Sequence, residues 1–166
     1  MSRTIKDILA LFPSTVKQDW KQHDNGNGWV KTSAYVEPSA YIEGIVYGKA
    51  WVSGDVQVSG DARVYGKAWV YGNAQVSGDA RVYGNAQVSG NAWVSGDAWE
   101  TSPLYIQGSK HCATNMKHGS IAIGCEVHTF DEWLKNYKII GKAAGYSPKQ
   151  IKEYKAIIDL FVKIGR

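Results

Sequence analysis

The chain of 166 residues holds two cysteines, Cys112 and Cys125, too few for a disulfide framework. It has no apolar run long enough to cross a bilayer and no signal peptide, so a cytosolic chain without membrane contact is expected. Excess charge is small: the net value is +4. Its distribution says more, with +2 on residues 1–33, −3 on 34–100, −1 on 101–133 and +6 on 134–166. A nucleic-acid binder usually carries a basic stripe on its rigid part. Here the central stretch is slightly acidic, which argues against nucleic acid as a partner, and the C-terminal lysines read as a solvated helix face. Histidine is missing from residues 34–109, since all four lie at positions 23, 111, 118 and 128. A chain without imidazole over its middle lacks the commonest general base there.

What the middle does hold is a short repeat. Lys49 to Gly66 and Lys67 to Gly84 are identical at 15 of 18 positions. Within each lies a period of six, with valine recurring from Val52 to Val94, alanine two residues before most of the valines and glycine two residues after each. A fixed short period decides the fold before any local propensity does. Six residues make a short strand and a corner, and three such units make one coil of 18. The valines then fill the interior, the alanines fit where the chain turns, and glycine supplies the positive φ of the corner. A helical repeat is excluded, because each glycine inside a helix costs about 1 kcal/mol.

These residues resemble the hexapeptide-repeat family, and Val-Ser-Gly-Asp-Ala-Trp at 94–99 fits its pattern directly. The resemblance covers about 70 residues. It implies a mainly β protein, a left-handed parallel β-helix of about four coils, assembled as a homotrimer. The expected organisation is a short helix and lead-in loop over 1–33, the β-helix over 34–109, and a hairpin with a two-helix cap over 110–166.

The 18-residue period also predicts which side chains share a face. Trp51 and Trp69 align with Gln87, Arg63 and Arg81 with Trp99, and Gln57 and Gln75 with Trp93. Tyr47, Tyr65 and Tyr83 form a further column, and Asp61, Asp79 and Asp97 another. Such ladders serve either to pack subunits or to line a ligand groove between them. In the second reading Trp51, Trp69, Trp93, Trp99, Tyr65 and Tyr83 supply aromatic faces, and Arg63 and Arg81 hold an anion, which suits a nucleotide-like ligand. Asp61 and Asp79 stand two residues before those arginines and are placed to pair with them. The register slips once, because Ile42 and Val46 are four apart, so two residues are missing near Glu43–Ile45.

Outside the repeat, Thr4 to Phe12 reads as an amphipathic helix capped by Ser2 or Thr4 and ended by Pro13, placed to plug the solenoid's open end. His23 sits in a glycine-rich loop and is expected to be solvated. After Asp97 the period fades, with Glu100 where a valine is due, Pro103 at the exit and Leu104 to Ile106 as one last strand. Residues 110–128 suggest a hairpin turning at Lys117–Ser120. Thr129 and Glu132 form a capping box for a helix that stops at Gly145. Ser147 and Pro148 open a second helix, whose Ile151, Tyr154, Ile158 and Phe161 make its buried stripe.

Cys125-x-x-His128, near His111, Cys112 and His118, is compatible with a zinc site, with structural packing, or with a Cys125 nucleophile and a His128 base. The irregular spacing favours packing, and no metal or other cofactor is expected. The run Ile123 to Trp133 also resembles the C-terminal segment of phage and prophage hexapeptide-repeat proteins, through Ile123, Gly124, Cys125, His128, Thr129, Glu132 and Trp133. It implies a phage origin and hence the host bacterial cytoplasm. The expected function is a non-catalytic trimer that sequesters a small anionic ligand or a host partner, counteracting host defence signalling. The family's commonest activity, acyl transfer with a histidine base on the solenoid, is the alternative that the histidine-free coils weaken. A structural virion or tail component is the other.

Overall fold

In the computed structural model, residues 3–165 are described and the chain divides into two units, Met1–Asn91 with Ser95–Ser102, and Ala92–Val94 with Pro103–Arg166. The first is a β-solenoid of about four turns built on three sheets. One face carries Trp29–Lys31, Ile45–Val46, Arg63–Val64, Arg81–Val82 and Ala98–Trp99 in parallel order. The second carries Tyr35–Val36, Trp51–Ser53, Trp69–Tyr71 and Gln87–Val88. The third carries Tyr41–Ile42, Gln57–Val58 and Gln75–Ser77.

The reason is the alternation of the repeat. Val46, Val52, Val58, Val64, Val70, Val76 and Val82 are all fully buried, as are Ala62, Ala68, Ala74 and Ala80. Each buried valine is worth about 1.5–3 kcal/mol over an exposed one. Rungs are joined by the backbone: the Trp51 amide donates to the Ala68 carbonyl at 2.9 Å, and the Trp69 amide to Ala86 at 2.9 Å. At the corners Gly48, Gly66 and Gly84 have φ of +75°, +72° and +65°. A Cβ on Gly48 would lie 2.8 Å from the Gly66 nitrogen, so the corners stack too closely for a side chain.

The register departs from 18 twice. Trp29 pairs with Ile45 and Tyr35 with Trp51, so the first coil is two residues short. At the other end Val82 pairs with Trp99 instead of residue 100. Trp99 therefore takes the inward place and is 1% exposed. The expectation that Trp99 stands in the outward arginine column is corrected: Ala98 holds that place, opposite Arg81.

Helix α1 (Ile5–Leu11) is capped by Thr4, whose side chain accepts from the Asp7 amide, while capping by Ser2 lies outside the described residues. Its Ile8 packs with Trp20, Trp29 and Ile45. Trp29 and Ile45 belong to an outward column, so α1 covers the side of one face; it does not plug the open end. That edge is extended by Trp20–Gln22, antiparallel to Trp29–Lys31. His23 is buried, not solvated: its Nδ1 lies 3.1 Å from the Asn25 carbonyl oxygen.

The second unit has a four-stranded antiparallel sheet, Tyr105–Gln107, Cys112–Asn115, Ser120–Ile123 and Glu126–Thr129, where a single hairpin was expected. The strand anticipated at Leu104–Ile106 is the first of this sheet. Helices α2 (Phe130–Ala143) and α3 (Pro148–Ile164) carry the capping boxes at Thr129–Glu132 and Ser147–Gln150 that their sequences announce. Trp133, Tyr154, Ile158 and Phe161 meet Ala113, Ile121 and Ile123 in its core. Ile151 is only partly buried. Among the described residues no helix is long and apolar enough to cross a membrane.

Candidate ligand-binding faces of the solenoid

Alternation sends every second strand residue outward, and two of the outward faces are aromatic. On the second face Tyr35, Trp51 and Trp69 follow one another rung by rung. Tyr35 and Trp51 stack with centroids 4.0 Å apart, whereas Trp51 and Trp69 are splayed to 6.2 Å and 30°. The ladder ends at Gln87, the register partner of Trp69. Tyr35, Trp51, Trp69 and Tyr71 are 45%, 44%, 50% and 38% exposed, an unusual amount of aromatic surface to leave in water. Trp51, Ser53, Trp69, Tyr71 and Gln87 line a groove of about 250 Å³.

On the first face Tyr47, Tyr65 and Tyr83 form a tighter ladder, with centroids 4.7 and 5.1 Å apart and planes within 4° and 8°. Burial, and then the neighbouring phenol of the ladder, push the hydroxyls of Tyr47 and Tyr65 above the ordinary phenol range, while Arg63 and Arg81 pull in the opposite sense. Arg63 and Arg81 are register partners on this face. Neither pairs with a carboxylate among the described residues; Asp61 is bonded to Arg3 instead, so the anticipated Asp–Arg pairing does not form. Two guanidinium groups on adjacent rungs repel one another, and an anion between them would relieve that.

The predicted site residues thus separate. Arg63, Arg81, Tyr65 and Tyr83 share one face, and Trp51 and Trp69 another. Trp93 stands on Trp93–Ser95, outside both groups, and Trp99 is in the core. On the tryptophan face two exposed tyrosines, Tyr35 and Tyr71, escaped the sequence reading. Tyr35 is hidden by the short first coil. Tyr71 is one of the three positions at which the two copies of the 18-residue unit differ, and that difference was the clue to it.

In the second unit no group of three or more His, Cys, Asp or Glu side chains among the described residues could hold a metal ion. Cys125 is exposed at a hairpin tip, and the His128 Nε2 lies 3.1 Å from the Glu126 carboxylate, with the ring edge-on to Trp133. The His111 Nδ1 lies 2.7 Å from the Tyr146 hydroxyl, which burial and Tyr154 raise to about 12. The cavity these side chains line is about 40 Å³, room for water and little else.

A family model described as a YdcK Beta solenoid repeat matches residues 56–72, 74–87 and 86–101. The chain is a β-solenoid repeat protein. No curated protein and no solved structure matches it. Within this solenoid protein the matched residues include Arg63, Arg81, Trp69, Tyr65, Tyr71 and Tyr83.

Proposed function

We propose that this is a non-catalytic binding protein whose solenoid, of the left-handed hexapeptide type, assembles as a homotrimer and sequesters a small anionic, nucleotide-like ligand. The observation that carries the reading is the pairing of an exposed aromatic ladder with two arginines that have no carboxylate partner among the described residues. Aromatic faces take a base by stacking, and guanidinium groups take phosphate by bidentate, charge-assisted hydrogen bonds. The resemblance of Ile123–Trp133 to phage proteins supports a phage origin, and with it a role in withdrawing a host defence signal from the bacterial cytoplasm.

The test is native mass spectrometry for subunit number and co-purified small molecules, followed by titration calorimetry with ADP-ribose and cyclic nucleotides. The reading expects a trimer and heat from at least one nucleotide. A monomer that gives no heat with any of them would end it.

A further inference from the structure

The separation of the predicted residues onto two faces has a simple resolution within one chain, because the two faces share a corner. The outward residues of one coil run Arg63, Tyr65, Lys67, Trp69 and Tyr71, alternating with the buried Val64, Ala68 and Val70 and turning at Gly66. The coil before it presents Tyr47, Lys49 and Trp51 in the same places. The Lys49 amide donates to the Gly66 carbonyl and the Lys67 amide to Gly84, so the two lysines stand one rung apart on that corner.

Charge is sorted around the coil in the same way. The cations of residues 34–100 are Lys49, Arg63, Lys67 and Arg81, and all lie on this corner or the face that runs into it. The carboxylates sit mostly at the other two corners. Glu37 accepts from the Gly54 amide beside Asp55 at one, and Glu43 accepts from the Gly60 amide beside Asp61 at the other. Asp79 repeats Asp61 one rung on, in the same hollow, where Arg3 pairs with Asp61. Among the carboxylates of residues 34–100, Glu100 approaches the cationic corner, next to Gly84 at its far end. Although its net charge is negative, the solenoid therefore has one positive edge, and that edge is the one flanked by aromatic rings.

We infer that this edge is a nucleotide-binding strip complete within a single chain, in which Lys67, with Lys49 and Arg63, holds a pyrophosphate and the uncovered face of Trp69 takes the base. The Trp69 ring has the Trp51 ring beside it on one rung, while its register partner on the next rung is Gln87, which carries no ring, so a planar base continues the interrupted ladder. The Gln87 side-chain amide and the Ser53 hydroxyl hold no partner among the described residues and border the same groove, where they can read the edge of a base. A base joined to a pyrophosphate spans both chemistries, whereas a lone base or a lone phosphate uses half of the strip. This site rests on the nucleotide reading above and adds to it Lys67, Lys49 and Gln87.

Calorimetry on the full chain with ADP-ribose tests it, alongside adenosine and inorganic pyrophosphate. Lys67→Gln and Trp69→Ala should each weaken ADP-ribose by about tenfold or more, and Gln75→Ala, on the third face, should leave it unchanged. Adenosine and pyrophosphate should each bind less tightly than ADP-ribose, and added salt should weaken ADP-ribose but not adenosine. Trp69→Phe keeps a stacking face and should retain binding, which separates loss of the platform from loss of the fold. If ADP-ribose binds and neither Lys67→Gln nor Trp69→Ala affects it, the strip is wrong while the nucleotide reading stands. If a cyclic nucleotide binds and ADP-ribose does not, the pyrophosphate assignment falls alone. If no nucleotide binds, both fall, and preference for a single-stranded oligonucleotide over ADP-ribose overturns the strip in favour of a nucleic-acid surface.

Discussion

Trp99 is the register partner of Val82, and its indole, 1% exposed, closes the interior of the last coil. One residue fewer between Val94 and Trp99 than between earlier inward positions moves this large side chain from outside to inside. Trp99→Ala should therefore destabilise the solenoid by about 3–5 kcal/mol, as other buried aromatic truncations do. Trp69→Ala removes an equally large but half-exposed ring, and its loss should cost under about 1.5 kcal/mol, the worth of one aromatic contact. Urea unfolding of the two variants checks this, and equal losses would place Trp99 back on the surface.

Corner glycines should differ in tolerance although their φ values are alike. Gly48 and Gly96 have φ of +75° and +78°. A Cβ on Gly48 would lie 2.8 Å from the Gly66 nitrogen, whereas one on Gly96 meets nothing within 4 Å among the described residues. Gly96→Ala should cost only the left-handed strain, about 1–2 kcal/mol. Gly48→Ala should cost clearly more, because the next coil must shift as well. Thermal melts of the pair measure the difference, and identical melting temperatures would mean that the coils do not stack so closely.

The solenoid was legible because its period repeats one physical instruction many times. Each valine, small residue and glycine points to the same coil, and errors at single positions average out. The departures were harder. Tyr35 and Trp99 were misplaced or missed because a uniform period was carried past a deletion, and register is a cumulative property. Glu100 offered the clue at the second slip: a carboxylate due at an inward place is a sign that the count has shifted. The antiparallel sheet was only half visible, since Tyr105–Gln107 has no periodicity of its own and is defined by its partner Cys112–Asn115. The helix caps at Thr129 and Ser147 were fully legible, being local hydrogen-bond chemistry. The split of arginines and tryptophans onto two faces followed from the same period, but the corner lysines between them are not a column of aromatics and drew no notice.

Tyr154 should anchor the second unit through its hydroxyl as well as its ring. The hydroxyl oxygen accepts from the His111 amide at 2.6 Å and the Lys110 amide at 3.1 Å and donates to the His111 carbonyl at 2.7 Å. Tyr154→Phe keeps the packing and strands two backbone donors, which should cost about 1–3 kcal/mol. Amide hydrogen exchange should speed up at Lys110 and His111 ahead of the rest of the sheet. Unchanged protection at those two amides would show that the hydroxyl is dispensable.

The tyrosine ladder should make the solenoid sensitive to alkali. Burial first, and then the adjacent phenol, raise the hydroxyls of Tyr47 and Tyr65 above the ordinary phenol value of 10.0. A folded-state pKa above the unfolded one means that the fold favours the protonated phenol. The resulting stability is complete below the ordinary phenol range and is lost as pH rises through it toward the shifted values. Melting temperatures should fall from about pH 10 upward, with tyrosinate absorbance appearing later than in the unfolded chain. Arg63 and Arg81 oppose the shift, so Arg81→Gln should delay ionisation of Tyr65 further and displace the absorbance titration to higher pH. A displacement to lower pH in that variant would mean that the guanidinium does not face the ladder, and would take the anion site on this face with it.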